Sequence, residues 1–85
     1  MKYNATFSVE DVFSIQGRGT VVAGKLTDGL LKKGMRAIVN GKQTEVTGIE
    51  TNNQSVDSLT AGTPAGVLLR NLEKSDIPKG NIYFT

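Results

Sequence analysis

Apolar residues occupy every second position at the start of the chain, and mostly polar residues stand between them. The apolar set is Tyr3, Ala5, Phe7, Val9, Phe13 and Ile15. A period of two predicts a β-strand with one buried face, on which Asp11 interrupts the apolar row. We therefore expect Phe13 to lie mostly in the core. The same expectation applies to the other aromatic residues, which are Tyr3, Phe7, Tyr83 and Phe84.

Short strands separated by turns are expected along the rest of the chain. Further strands are predicted over residues 20–26, 35–39, 42–51, 65–69 and 81–85. Turns rich in Gly, Asn, Asp and Pro are predicted at residues 16–19, 28–29, 33–34, 40–41 and 75–80. Asn40-Gly41 is the strongest hairpin signal among them, because a two-residue hairpin turn needs positive φ at both positions.

Three local features refine this prediction. Gly48 is expected to form a β-bulge, and Gly24 is expected to mark a close crossing of two strands. Residues 51–55 are expected to form a polar loop, and residues 57–66 mostly a connection. The predicted strand 65–69 is apolar on both faces, so it belongs in the centre of the sheet.

The number and spacing of the strands predict an all-β fold. About six or seven short strands, roughly 8 to 12 residues apart, are typical of a small closed antiparallel β-barrel. No window has a sustained helical period. A chain of 85 residues accommodates one domain, which we expect to span residues 1–85.

Composition excludes several classes of function. The chain has no Cys and no His, which removes disulfides, Cys/His zinc sites, thiol nucleophiles and imidazole bases. We therefore predict no metal and no cofactor. The net charge is only +2 and no basic stripe is visible, so DNA is not an expected partner. Without a signal peptide or a long apolar run, a cytoplasmic protein away from membranes is expected.

The sequence from Gly19 to Lys25 fits the spacing of a phosphate-binding loop, but its context does not. Leu26 stands where Ser or Thr should hold magnesium, and the interior is a β-branched run with no helix after it. We therefore predict a strand here. With no guanine-binding motif or magnesium ligand set, the chain is not expected to be an enzyme.

Two acids and one arginine are candidate binding residues. Glu10 and Asp11 are neighbours on a strand and point to opposite faces, so they cannot act on one substrate atom. Asp11 either bonds amides of a bulge or lines a pocket at the barrel rim beside Phe13. Arg18, between two glycines, is either a solvated turn residue or a planar fork for a phosphate or carboxylate.

Five blocks in order resemble the second, β-barrel domain of translational GTPases, in particular that of elongation factor Tu. The blocks are residues 10–24, 34–35, 46–50, 61–70 and 76–80. The resemblance covers about residues 7–83 and implies a closed barrel of the translation-protein type that packs on a GTPase domain. In elongation factor Tu this domain also holds the 3′ end of aminoacyl-tRNA.

The resemblance implies a set of pocket residues. The positions carried over are Glu10, Asp11, Phe13, Arg18, Glu50 and Leu68. The first three are expected near the terminal adenosine, with Arg18 at the turn, Glu50 under the adenine and Leu68 in the pocket wall. Carboxylates there would accept hydrogen bonds from amine and hydroxyl groups, and apolar side chains would contact the base.

Three positions depart from the family pattern. Ala23 stands where the family usually has Thr, and Asn53 and Pro64 align with an Arg and an Asn near the amino acid. The leading interpretation is a non-catalytic module that docks on a GTPase domain, of the same or another chain, or on ribosomal RNA, with a modified pocket for the tRNA 3′ end. Two alternatives are retained aminoacyl-tRNA binding and a free-standing protein-interaction adaptor without an RNA role.

Overall fold

Eight β-strands form one antiparallel sheet in the computed structural model, which describes residues 3–17 and 19–85. The strands are β1 (Ala5–Ile15), β2 (Gly19–Lys32), β3 (Arg36–Val39), β4 (Lys42–Thr51), β5 (Gln54–Val56), β6 (Ser58–Thr60), β7 (Pro64–Leu69) and β8 (Asn81–Phe84). A single-turn 3-10 helix, Lys74–Asp76, lies between β7 and β8. The predicted all-β fold is confirmed, and two three-residue strands raise the strand number above six or seven.

The sheet curls until its two ends almost meet. Its order is β3-β4-β7-β2-β1-β8, with β5 paired to β4 and β6 paired to β2. At the ends, the Arg36 N–H donates to the Thr85 carbonyl oxygen at 2.9 Å, and the Thr85 N–H donates to the Arg36 carbonyl oxygen at 2.8 Å. This pair closes the sheet nearly into a barrel, as predicted, and removes most of its exposed edge.

The interior of the barrel is filled by apolar side chains from both halves of the chain. The largest fully buried side chains are Phe7, Phe84, Leu26, Leu31, Ile49 and Leu69. β7 lies between β4 and β2, which confirms its predicted central position. Its Val67 and Leu69 point into the core, whereas Leu68 between them is half-buried on the outside.

Two hairpins use the same turn chemistry. Asn40 and Gly41 have φ of 52° and 76° and connect Val39 to Lys42, which confirms the predicted turn. Asn52 and Asn53, with φ of 53° and 62°, connect β4 to β5 in the same way. The prediction of a polar loop over residues 51–55 is therefore wrong, because asparagine tolerates the left-handed region and supplies a tight turn without glycine.

The predicted turn at residues 28–29 is a bulge inside β2. Thr6 pairs with Asp28 and Phe7 with Leu26, so Thr27 is the extra residue in the ladder. Gly29, with φ of 82°, absorbs the distortion. β2 consequently continues to Lys32 instead of ending at residue 26.

A second bulge, at Glu10, reverses which side of β1 is buried. Val9 pairs with Gly24 and Asp11 with Ala23, which leaves Glu10 without an opposite residue. Phe7 before the bulge is buried, but Phe13 after it is 50% exposed. The expectation that Phe13 and Asp11 face inward is therefore wrong, because one inserted residue moves the side chains after it to the opposite face of the strand.

The other aromatic residues divide equally between the interior and the surface. Phe7 and Phe84 are buried in the core, as predicted. Tyr3 and Tyr83 are not core residues, since both are exposed on the outside of the barrel. Their rings pack on each other with centroids 5.0 Å apart, which shelters part of their apolar surface.

Gly24 lies next to the Glu10 bulge, where the backbones of β1 and β2 approach closely. A Cβ added to Gly24 would overlap the Ser8 carbonyl oxygen and press on the Glu10 amide nitrogen. Both contacts are with backbone atoms, which cannot move without breaking the ladder. Glycine at this position is therefore a requirement of the pairing.

We expect Gly24→Ala to lower the free energy of unfolding by at least about 2 kcal/mol, measured by urea denaturation. Gly48→Ala is the matched control, because a Cβ there would meet the Leu68 Cβ at an ordinary 3.6 Å. The control should change stability by less than about 1 kcal/mol. Equal losses in the two variants would contradict the close approach at Gly24.

A carboxylate fastens the 3-10 helix to the β3–β4 hairpin. Asp76 is buried and accepts hydrogen bonds from Lys42 Nζ at 2.9 Å, Asn40 Nδ2 at 2.9 Å and the Glu73 N–H at 2.8 Å. The backbone hydrogen bond from Glu73 and those from Lys42 and Asn40 lower the pKa of Asp76 to about 2. The same contact with Asp76 raises the pKa of Lys42.

We expect this carboxylate to stabilise the fold at neutral pH and to lose that effect on acidification. Because its folded-state pKa is about 2 and an unfolded Asp titrates near about 3.9, the loss falls between about pH 4 and pH 2. As the pH is lowered through this window, the urea midpoint of Asp76→Asn should fall less steeply than that of the wild type. Asp57→Asn, at an exposed carboxylate, should keep the wild-type slope, and identical slopes for all three proteins would contradict the assignment.

Candidate functional site on the outside of the barrel

Two rows of residues cross four neighbouring strands on the outside of the barrel. The first row is Phe13, Val21, Leu68 and Gly48, and the second is Asp11, Ala23, Gly66 and Glu50. We call these eight residues the outer face. Val22, Val67 and Ile49, which lie next to row members along their strands, are fully buried. The row residues therefore point away from the core.

The second row forms a shallow trough. Ala23 and Gly66 occupy its middle and offer almost no side chain, while Asp11 and Glu50 stand at its two ends. Three strand spacings separate these ends, or about 14 Å between backbones. A flat ligand therefore has room between two carboxylates.

The first row gives the trough an apolar border. Phe13 is half exposed, and Val21 and Leu68 are half-buried. An added Cβ at Gly66 would lie 3.3 Å from Val21 Cγ1, so a larger residue there would press on this border. Apolar side chains beside carboxylates can hold an aromatic ring that also carries hydroxyl or amine donors.

A cavity of about 260 Å³ opens at one end of the outer face. Glu50, Leu68 and Val21 line it from β4, β7 and β2, and Ser55 and Val56 close it from β5. The prediction of a loop over residues 51–55 misses Ser55 as a lining residue. The signal that could have found it is the Asn52-Asn53 pair, which folds β5 back along β4.

The structure brings most of the predicted pocket residues to one side of the barrel. Glu50 and Leu68 share the cavity. Asp11 and Phe13 lie on the same face but on β1, which is three strands from the β4 strand of Glu50 and two from the β7 strand of Leu68. Glu10 is exposed at the bulge. Arg18 lies outside the described residues.

Asp11 has a structural contact of its own. Its Oδ1 accepts a hydrogen bond from the Val12 N–H at 2.9 Å, directly after the bulge. The predicted role in bonding bulge amides is therefore confirmed. Because Asp11 remains exposed at the end of the trough, this role does not prevent contact with a ligand.

The outer face favours neutral hydrogen-bond donors over phosphate. Glu10, Asp11 and Glu50 are exposed carboxylates, which accept hydrogen bonds and repel anions. Among the described residues that line the cavity, the basic one is Lys33, whose Nζ lies 4.0 Å from Asp57 Oδ1. Within residues 3–17 and 19–85, no group of three or more acidic side chains is placed to hold a metal ion.

The fold and the family comparison identify a translation-factor type of β-barrel module. Residues 19–83 match the family model of elongation factor Tu domain 2, which is well over half of the chain. The chain therefore belongs to the elongation factor Tu domain 2 family. Glu50 and Leu68 lie within the matched range, and Asp11 and Phe13 precede it. None of the helical residues described here forms a segment long and apolar enough to cross a membrane.

We expect Phe13→Ala to lower the free energy of unfolding by less than about 1 kcal/mol, since the side chain is half exposed. Phe7→Ala on the same strand should cost about 3–5 kcal/mol, because that ring is fully buried. Urea denaturation of both variants measures the difference. A loss of about 3 kcal/mol for Phe13→Ala would place its ring in the core and contradict the bulge.

Proposed function

We propose that the chain is a non-catalytic module that docks on a GTPase domain, of the same or another polypeptide, and receives the terminal nucleoside of aminoacyl-tRNA on its outer face. Family membership supports the module and its place in cytoplasmic translation. The observation that carries the nucleoside site is the arrangement of two adjacent rows, one apolar and one ending in carboxylates.

The cavity beside Glu50 and Leu68 suits a nucleobase. Single-stranded RNA ends are recognised by contact with the flat faces of their bases and by hydrogen bonds to base edges and 2′-hydroxyls. Leu68 and Val21 offer the apolar contact, and the Glu50 carboxylate accepts from an amine or hydroxyl. The phosphates would remain outside, away from these acids.

The departures from the family pattern lie around the trough. Ala23 forms part of its floor, Pro64 begins β7, and Asn53 sits at the tip of the β4–β5 hairpin. The methyl group of Ala23 and the ring of Pro64 provide no side-chain hydrogen bond. The outer face is thus proposed to bind the nucleoside while contributing little to recognition of the aminoacyl ester.

The test is an amide NMR titration of the protein with an acceptor-stem RNA, used both aminoacylated and deacylated. We expect the amide signals of Phe13, Glu50 and Leu68 to shift with both RNAs at about 1 mM, with affinities within about threefold of each other. Glu50→Gln should weaken binding about tenfold, since it removes a charged acceptor. Asp28→Asn is the matched control for charge and should bind as wild type.

If neither RNA moves these signals, the nucleoside site is refuted. Family membership and docking on a GTPase domain would stand, because neither depends on the cavity. The adaptor hypothesis would then remain, and it expects an exposed apolar patch away from Asp11 and Glu50. A strong preference for the aminoacylated RNA would instead refute the proposal that the outer face contributes little to recognition of the aminoacyl ester.

A further inference from the structure

The barrel is open along most of the boundary between β3 and β8. Across the described residues 3–17 and 19–85, the only backbone hydrogen-bonded pair at this boundary joins Arg36 of β3 to Thr85, which directly follows β8. Beyond this pair a groove of about 710 Å³ separates the two strands and extends to Ile77 and Pro78. We call it the β3–β8 groove, lined chiefly by residues 36–40 and 81–83.

Both walls of the groove are unpaired strand edges. In an antiparallel ladder, the N–H and C=O groups of alternate residues point to the same side. The backbone groups of Arg36 and Thr85 point across the boundary. The N–H and C=O groups of Ile38 on β3 therefore point into the groove, and so do those of Asn81 and Tyr83 on β8. The groove therefore presents free backbone donors and acceptors at the spacing of a β-strand.

Apolar side chains stand beside these free backbone groups. Ile38 is 68% exposed and Tyr83 is 44% exposed, and Tyr3 packs on Tyr83. Edge strands are usually protected by lysine, proline or a covering loop. Ile38 leaves the middle of the β3 edge without a charge, so its backbone is available for pairing.

The charges in the groove favour an acidic ligand. Arg36 is the basic residue of its lining, and Asp76 is the acidic one. Asp76 is already held by Lys42, Asn40 and the Glu73 N–H. The exposed Arg36 guanidinium is therefore the charge that a ligand would meet.

We propose that the β3–β8 groove binds an extended segment of a partner polypeptide, which pairs as an additional strand with the edge of β3. Its apolar side chains would cover Ile38 and Tyr83, and a carboxylate would lie beside Arg36. An extended polypeptide fits because only a backbone supplies donors and acceptors in the same alternating order. In the sheet order, the outer face spans β4, β7, β2 and β1, so the groove lies on the opposite side of the barrel and the two surfaces can be occupied together.

The first experiment follows amide hydrogen exchange by NMR, with and without a probe peptide. The probe is a capped seven-residue peptide that alternates valine and threonine and carries one glutamate near its end. Without peptide, the Ile38 and Tyr83 amides should exchange faster than those of Ala37 and Val39, which belong to the β3–β4 ladder. At ten times its Kd, the peptide should slow exchange at Ile38 about tenfold. The same peptide with N-methylated backbone amides should give no protection.

Matched variants separate the groove from general surface binding. Ile38→Glu places on the free edge a charge of the same sign as the glutamate of the peptide and should abolish protection by the peptide. Leu30→Glu changes another exposed apolar residue outside the groove and should leave protection intact. Both positions are exposed enough for the variants to fold, which the amide spectra would verify.

Several outcomes would overturn the proposal. Slow exchange at Ile38 without peptide would mean that the edge is not free. If that slow exchange accompanied a doubled mass in sedimentation, the occupant would be a second copy of this chain. Protection by a single-stranded oligouridylate in place of the peptide would assign the groove to RNA. Equal protection by the N-methylated peptide would exclude strand pairing.

Discussion

The close pairing of β1 with β2 around Glu10 and Gly24 decides which side chains fill the barrel and which remain outside. Because Glu10 has no partner, β1 changes phase there, so that Phe7 is buried and Phe13 is exposed. The backbone of β1 bends over Gly24, where a Cβ has no space. The extra residue Glu10 in β1, together with a glycine at position 24 of β2, thus allows β1 to contribute side chains first to the core and then to the outer face.

The positions of most strands along the chain and several turns could be predicted from local chemistry, but the phase of β1 could not. Asn40-Gly41 and the doubly apolar β7 are signals that need no knowledge of their partners. The bulge at Glu10 is different, because it exists only in the register between two strands. Phe7, Val9 and Phe13 keep one phase of alternation when the chain is considered alone, although the residue inserted between Val9 and Asp11 places Phe13 on the opposite side of the strand.

The candidate site was only partly accessible from the sequence for the same reason. Glu50 and Leu68 meet because β4 and β7 pair in a particular register, with a shift next to Gly48. A resemblance to a family can carry such residues over, but it gives no account of the floor of the trough between Asp11 and Glu50. Ala23 and Gly66 are unremarkable in sequence and become informative only when pairing places them between two carboxylates.

The alternation of a β-strand also explains how a binding face can change while the fold persists. Residues of the outer face point away from the core, and their inward neighbours Val22 and Val67 supply the packing. Replacing a Thr-like contact by Ala23 therefore alters what the face can hydrogen-bond without opening a void inside. Gly24, the next residue along β2, has no such freedom because the backbone of β1 lies against it. The proposed binding face and the packing of the core are thus separated by one position along the same strand, so that a barrel of this family can keep its architecture when a residue of that face changes.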